Sequence, residues 1–95
     1  MSYYVQLSDH ARKALKKIDR LQAKIIISWL EKNLDGCENP RLYGQALGYG
    51  LKGYWRYRIG AYRIIADIQD ALVRIEIINV GHRRDIYDKN AYERE

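Results

Sequence analysis

Arg56, Arg58 and Arg63 lie close together in a stretch of strand-like alternation, and Gly81-His82-Arg83-Arg84 follows at the end of a later one. A guanidinium stays protonated at any working pH, so the cluster is fixed positive charge and calls for an anion. The chemistry that suits it is cleavage of an RNA phosphodiester by the neighbouring 2′-OH, which needs no metal. That reaction requires a base near the 2′-oxygen, positive charge on the phosphate oxygens and help for the departing 5′-oxygen. Arginine supplies the charge but is no ordinary base. The base must come from His82, Tyr87 or a carboxylate such as Asp85. Histidine changes charge near neutral pH, and a ring of arginines would draw down a tyrosine's pKa. The plainer roles are a packing tyrosine at Tyr87 and a turn residue at His82.

Other chemistries fit less well. His10 and His82 are far apart and have no carboxylate pair at ligand spacing, so no metal site is expected. Cys37 follows a helix stop with nothing local to activate it, and being alone it excludes an internal disulfide. Gly44, Gly48 and Gly50 fit no phosphate loop that follows a strand, and no cofactor is expected. A non-catalytic RNA-binding module would show aromatics on an open sheet face for base stacking, and here that face bears arginines.

The elements that position the cluster are two tandem hairpins. Residues 54–59 and 62–68 read as strands joined by Gly60-Ala61, which fits a II′ turn. Asp70-Ala71 is expected to turn the chain again into a strand at 72–80. Strand alternation puts Trp55, Tyr57, Ile59, Tyr62, Ile64, Ala66, Ile68, Ile75 and Ile77 on an apolar face. Tyr54, Arg56, Arg58, Arg63, Ile65 and Asp67 fall on the other, with Arg58 opposite Arg63, Arg56 opposite Ile65 and Asp67 opposite Arg74. Like charges directly opposed destabilise a hairpin, so the Arg58–Arg63 pair argues for a ligand. This polar face is expected to be open.

Ahead of the hairpins, residues 3–7 form a short strand. Ser8 is an N-cap with Asp9 in the first turn, and Ala11, Ala14, Leu15 and Ile18 make an apolar stripe. Asp19, with Gln22 three residues on, starts a second helix that runs to about Leu34 and stops at Gly36. Leu21, Ile25, Trp29 and Leu30 are its expected core-facing set. Asn39-Pro40 breaks regular structure, and 41–52 reads as a loop. Residues 85–95 suit a short C-terminal helix. The order β-α-α-β-β-β makes one α+β domain, 1–95, with an antiparallel sheet packed on a helical hairpin.

Charge is unevenly distributed. The net charge is +5, and the stretch from Arg41 to Ala66 holds five basic residues and no acidic one. Lys52 and Arg84 therefore join Arg56 and Arg58 as expected phosphate-binding residues. The longest apolar run, 25–27, is too short to span a bilayer, and the N-terminus lacks the pattern of a secretory leader. A cytoplasmic protein with no membrane partner is expected.

The runs GAYRIIADI and VRIEIINVGHRRDIY, with NPRLYGQALGYGLKGYWRYRIGAYR ahead of them, resemble the RelE/ParE toxin superfamily, and within it the RelE-type messenger-RNA interferases. The resemblance implies a RelE-like fold and a toxin of a type II toxin–antitoxin system. It implies an endoribonuclease that enters the ribosomal A site and cuts the bound messenger, and so inhibits translation. It also implies a RelB-like antitoxin encoded beside the toxin, in a complex that binds its own operator DNA. By position, Arg63 resembles the arginine that stabilises charge on the scissile phosphate. Arg83 resembles the one that assists the leaving oxygen, and Tyr87 the tyrosine placed near the 2′-OH. Where Arg56 and Arg58 stand, the best-known members carry lysines. Arginine keeps the charge but not the shiftable pKa, which leaves acid–base work to His82 or Tyr87. The alternative is a ParE-like toxin that binds DNA gyrase and cuts nothing.

Overall fold

The computed structural model describes residues 1–48 and 53–86. Both helices start where the sequence places their caps. Ser8 Oγ accepts the Ala11 N–H (3.0 Å) ahead of α1, Asp9–Lys17. Asp19 Oδ2 accepts the Gln22 N–H (3.1 Å) ahead of α2, Arg20–Asn33. Each bond satisfies a donor that the first helical turn leaves without an intrahelical partner. Asp9 in the first turn of α1 and Lys16 and Lys17 in its last complement the helix dipole. Gly36 (φ +88°) ends the second helical segment in the left-handed region.

The sheet has five strands in the order β1-β5-β4-β3-β2. β1 (Tyr4–Leu7) lies at one edge and pairs with β5 (Arg74–His82) in parallel. The sheet is therefore mixed, not wholly antiparallel as the sequence suggested. A parallel pair needs a long crossover between its strands, and here that connection includes α1, α2, β2, β3 and β4. The far edge is a short strand, β2 (Gln45–Ala46), within the expected loop; it pairs antiparallel with β3 (Trp55–Ile59). Gly44 (φ +79°) lets the chain come that close, since a Cβ there would overlap the Arg56 carbonyl oxygen.

The central hairpin of β3 and β4 (Tyr62–Gln69) has the expected register, with Ile59 opposite Tyr62, Arg58 opposite Arg63 and Arg56 opposite Ile65. Gly60 takes the positive φ (+60°) that a II′ turn requires of its first central residue. The β4–β5 connection differs. A 3-10 turn, Asp70–Leu72, and Val73 at φ 50° make it four residues long rather than two. Asp67 thus faces Glu76, and Arg74 faces Gln69. The Gln69 amide donates to both carboxylates, at 2.9 and 3.1 Å, and its oxygen accepts from Arg74 Nε at 2.6 Å. The shift is by two residues, so Ile75 and Ile77 keep their places on the apolar face, both fully buried. A bulge at Ile78 then changes the register, pairing Ile65 with Asn79 and Ile64 with Val80.

Tyr57, Ile64, Ala66, Ile75, Ile77 and Val80 meet Ala11, Leu15, Ile26, Leu30 and Leu34 in one core, with Trp55 partly buried against it. The side of α2 that packs inward is not the expected one. Ile26, Leu30 and Leu34 are buried, whereas Leu21 is 63% exposed, Ile25 is 45% exposed and Trp29 is half-buried. Residues 20–30 of this helix are apolar on more than one side, and hydrophobic spacing alone allows either stripe. Of the expected C-terminal helix, only Asp85 and Ile86 lie within the described residues, and both belong to a turn.

Candidate nucleic-acid interface

The register places the charged residues in cross-strand rows on the face away from the core. Arg58, Arg63 and Gly81 form one row; Gln45, Arg56, Ile65 and Asn79 form the next. Arg58 is exposed and Arg56 half-buried, but Arg63 is only 8% exposed and Ile65 is fully buried. The face is therefore not open throughout, as the sequence had suggested.

At Gly81 the chain beyond β5 lies against it. The Arg83 N–H donates to Ala61 O (2.8 Å), which extends the ladder by one residue. Asp85 and Ile86 then donate their N–H groups to His82 O (2.8 and 2.9 Å), and the chain folds back. Ile86 ends up buried against Gly81, where a Cβ would lie 3.0 Å from Ile86 Cδ1. The bond to Ala61 places Arg83 at the turn between β3 and β4, and Arg83 and Arg84 are both exposed. An isoleucine within GHRRDIY carries no periodic signal, so nothing in the sequence marked Ile86 as a cover.

Arg63 is anchored from below. Its NH1 donates to Gly60 O and Tyr62 O, both at 3.0 Å, so the guanidinium is tied to the turn between β3 and β4. Two carbonyl acceptors hold a planar fork in one orientation, which is what preorganised charge stabilisation requires.

His82 is not brought to the arginine face. It lies opposite Tyr62 and shares that residue's face, with the two rings edge-to-face at 5.7 Å. Its Nδ1 accepts the Arg84 N–H at 3.1 Å, so the neutral ring carries its proton on Nε2. Tyr87 and Lys52, the remaining expected site residues, lie outside the described residues.

Asn79, 5% exposed beside Ile65, was not singled out from the sequence. Its Oδ1 accepts the Val80 N–H (2.8 Å) just after the bulge. The signal was available, since Asn79 is a polar residue within the apolar run of β5.

At the other end of the sheet, Arg41 binds both carboxylate oxygens of Asp70 (3.1 and 3.0 Å), and Tyr3 donates its hydroxyl to the same group (2.6 Å). The Arg41 hydrogen bonds, then that of Tyr3, hold the Asp70 carboxyl below its ordinary pKa. Tyr57 donates to Pro40 O (2.6 Å), and burial pushes its phenol far above the usual range, so it is a core hydrogen-bond donor and no acid. Burial likewise raises the Cys37 thiol. Among the described residues, no group of three or more His, Cys, Asp or Glu side chains is placed to hold a metal ion.

Two helices pack on a five-stranded mixed sheet, with Arg58 and Arg63 opposed on its far face. Residues 5–87 match the family described as "ParE toxin of type II toxin-antitoxin system, parDE". Toxin RelG of Mycobacterium tuberculosis is 30% identical over 92% of this chain and 98% of its own. Toxin RelE of the same organism is 28% identical over 93% and 89%. The solved toxin–antitoxin complex RelBE2, also from M. tuberculosis, contains a chain that superposes with a TM-score of 0.79 at 27% identity, covering 90% of this chain and 95% of that one. The protein belongs to the ParE toxin family of type II toxin–antitoxin systems, within the RelE/ParE superfamily.

Proposed function

We propose that this toxin is a ribosome-dependent endoribonuclease that cuts messenger RNA in the A site by 2′-OH attack. The observation that carries the reading is the Arg58–Arg63 pair, two like charges opposed on one sheet face, with Arg63 held in a fixed orientation. Such a pair is well placed to hold a phosphate between its members. Arg63 stabilises charge on the scissile phosphate, and Arg83 assists the departing 5′-oxygen. Arg56, Arg58, Lys52 and Arg84 hold the RNA backbone. The proton passes through Tyr87 or His82. The one basic nitrogen of the neutral ring, Nδ1, already accepts the Arg84 N–H, which favours Tyr87 as the base. The similarity to toxins named RelE and RelG supports the same reading.

The partner that silences the toxin is an antitoxin of the RelB type, encoded beside it. The RelBE2 complex supports this, since its relative of this chain is solved with an antitoxin. The complex also binds its operator DNA, and the toxin works in the cytoplasm.

A second reading has a specific observation behind it. The matching family bears the ParE name, and ParE-like toxins bind DNA gyrase without cutting RNA. Purified protein added separately to programmed ribosomes and to a gyrase supercoiling assay decides between the two. The proposal expects cut messenger and unimpaired supercoiling.

A further inference from the structure

Asn79 lies on the arginine face, is more deeply buried than Arg63, and has no task in the mechanism above. Its Oδ1 is taken by the Val80 N–H at 2.8 Å, which fixes the amide and turns Nδ2 the other way. Among the described residues Nδ2 has no acceptor, and it is not sealed from solvent. A nearly buried amide that keeps two N–H groups without a protein partner is a feature folded proteins avoid. With Oδ1 occupied, the side chain presents donors only, so a ligand must bring an acceptor.

Placement indicates which acceptor. Asn79 and Arg56 stand in one cross-strand row, on either side of the fully buried Ile65. With strands about 4.8 Å apart, their Cα atoms are separated by roughly 10 Å, a gap that two side chains and a phosphate fill. Arg63 belongs to the next row, about 7 Å along the strands. Its guanidinium is tied to Gly60 O and Tyr62 O, on the side toward the turn and away from Asn79. Arg63 and Asn79 therefore diverge, and they suit successive phosphates of one strand rather than two oxygens of the same phosphate.

We infer that Asn79 is a further RNA-binding residue, whose Nδ2 donates to a non-bridging oxygen of the phosphate next to the scissile one, across from Arg56. The inference rests on the endoribonuclease reading. Arg56 in the same row supplies the positive charge that a phosphate needs and a neutral nucleobase does not.

The test uses full-length toxin on programmed ribosomes, with single-turnover cleavage followed across toxin concentration. Asn79→Asp keeps an oxygen for the Val80 N–H but replaces both donors with negative charge. Asn79→Ala removes the donors and adds no charge. Each is expected to raise the toxin concentration for half-maximal rate by roughly tenfold or more, as loss of a hydrogen bond to a charged group does. The saturated rate should stay within about twofold of wild type, because the contact is made equally before and during the reaction. The amide is neutral, so Asn79→Ala should leave the salt slope of binding unchanged, whereas Arg56→Ala flattens it.

If the wild type cleaves and both variants match it at every concentration, the contact is wrong while the endoribonuclease reading stands. If the wild type cuts nothing, the reading and the inference both fail. A loss in Asn79→Asp alone would be charge repulsion rather than a lost bond. A loss confined to certain codons would make the acceptor a base, and a fall in the saturated rate would put Asn79 on the scissile phosphate. Losses in both variants that follow a lowered melting temperature would leave Asn79 as a support of the bulge only. Each of these results overturns the inference.

Discussion

Gly81 and Ile86 share one place on the arginine face: a Cβ on Gly81 would stand 3.0 Å from Ile86 Cδ1 and 3.6 Å from its Cβ. Gly81 has no left-handed φ, so a side chain there is opposed by crowding alone and not by the backbone conformation. The glycine lets the chain beyond β5 fold flat and hold Arg83 near Arg63. Gly81→Ala is expected to cost about 1 kcal/mol, at the low end for overpacking because the opposing atom is a side-chain tip. It should also lower messenger cleavage by displacing Arg83. Adding Ile86→Val removes the crowding methyl, so Gly81→Ala/Ile86→Val should regain cleavage that the single variant lost. Single-turnover rates on programmed ribosomes, read beside melting curves, check this; no regain in the double variant counts against the contact as a positioning device.

Arg63→Ala should cut the single-turnover rate by roughly 10²–10³ while weakening ribosome binding much less, as loss of a preorganised charge does. It also leaves the Gly60 and Tyr62 carbonyls without this donor, so a stability loss of about 1–2 kcal/mol accompanies it. Arg58→Ala and Arg56→Ala should instead weaken binding and flatten its salt dependence. Binding measured across a salt series separates the two kinds of effect.

Tyr87→Phe keeps the ring and removes the hydroxyl, so a large rate loss at unchanged stability identifies the proton carrier. His82→Ala distinguishes the alternatives. If His82 carries the proton, the pH–rate profile loses its inflection near neutral pH. If it serves only the turn, through its bond to the Arg84 N–H, the rate falls at all pH values and the profile keeps its shape. The second outcome is the expected one.

The Tyr3–Asp70–Arg41 cluster gives a stability effect of known sign. The Asp70 pKa is depressed in the folded protein, so its contribution is present above the ordinary carboxylate pKa of about 3.9 and is lost as pH falls through the lower folded value. The group is solvent-exposed, so the effect is small. Asp70→Asn should lower the melting temperature slightly at pH 7, with the difference from wild type shrinking only below about pH 3.9. A difference that persists unchanged at pH 2 would mean the carboxylate charge is not what matters.

The sequence made the β3–β4 hairpin legible because one glycine fixes its turn and alternation fixes its faces. Ser8 and Asp19 were legible as caps for a similar reason, each being a local chemical device. The inward side of α2 was not, since apolar residues occupy more than one of its sides and tertiary packing selects Ile26, Leu30 and Leu34. The parallel pairing of β1 and the bulge at Ile78 depend on partners distant in the chain. At the site, the opposed arginines could be read from alternation. The bulge, by placing Gly81 rather than Val80 opposite Arg63, moved His82 from the arginine face to the other.

The central claim is that the 2′-oxygen of messenger RNA is the nucleophile. Its most direct test is the chemistry of the ends left when purified toxin acts on messenger in the A site of programmed ribosomes. The account predicts a 2′,3′-cyclic phosphate on the upstream fragment and a 5′-hydroxyl on the downstream one, with neither end formed by Arg63→Ala at comparable times. A 5′-phosphate would make water the nucleophile, and intact messenger alongside blocked gyrase supercoiling would make the protein a gyrase inhibitor; either contradicts the account.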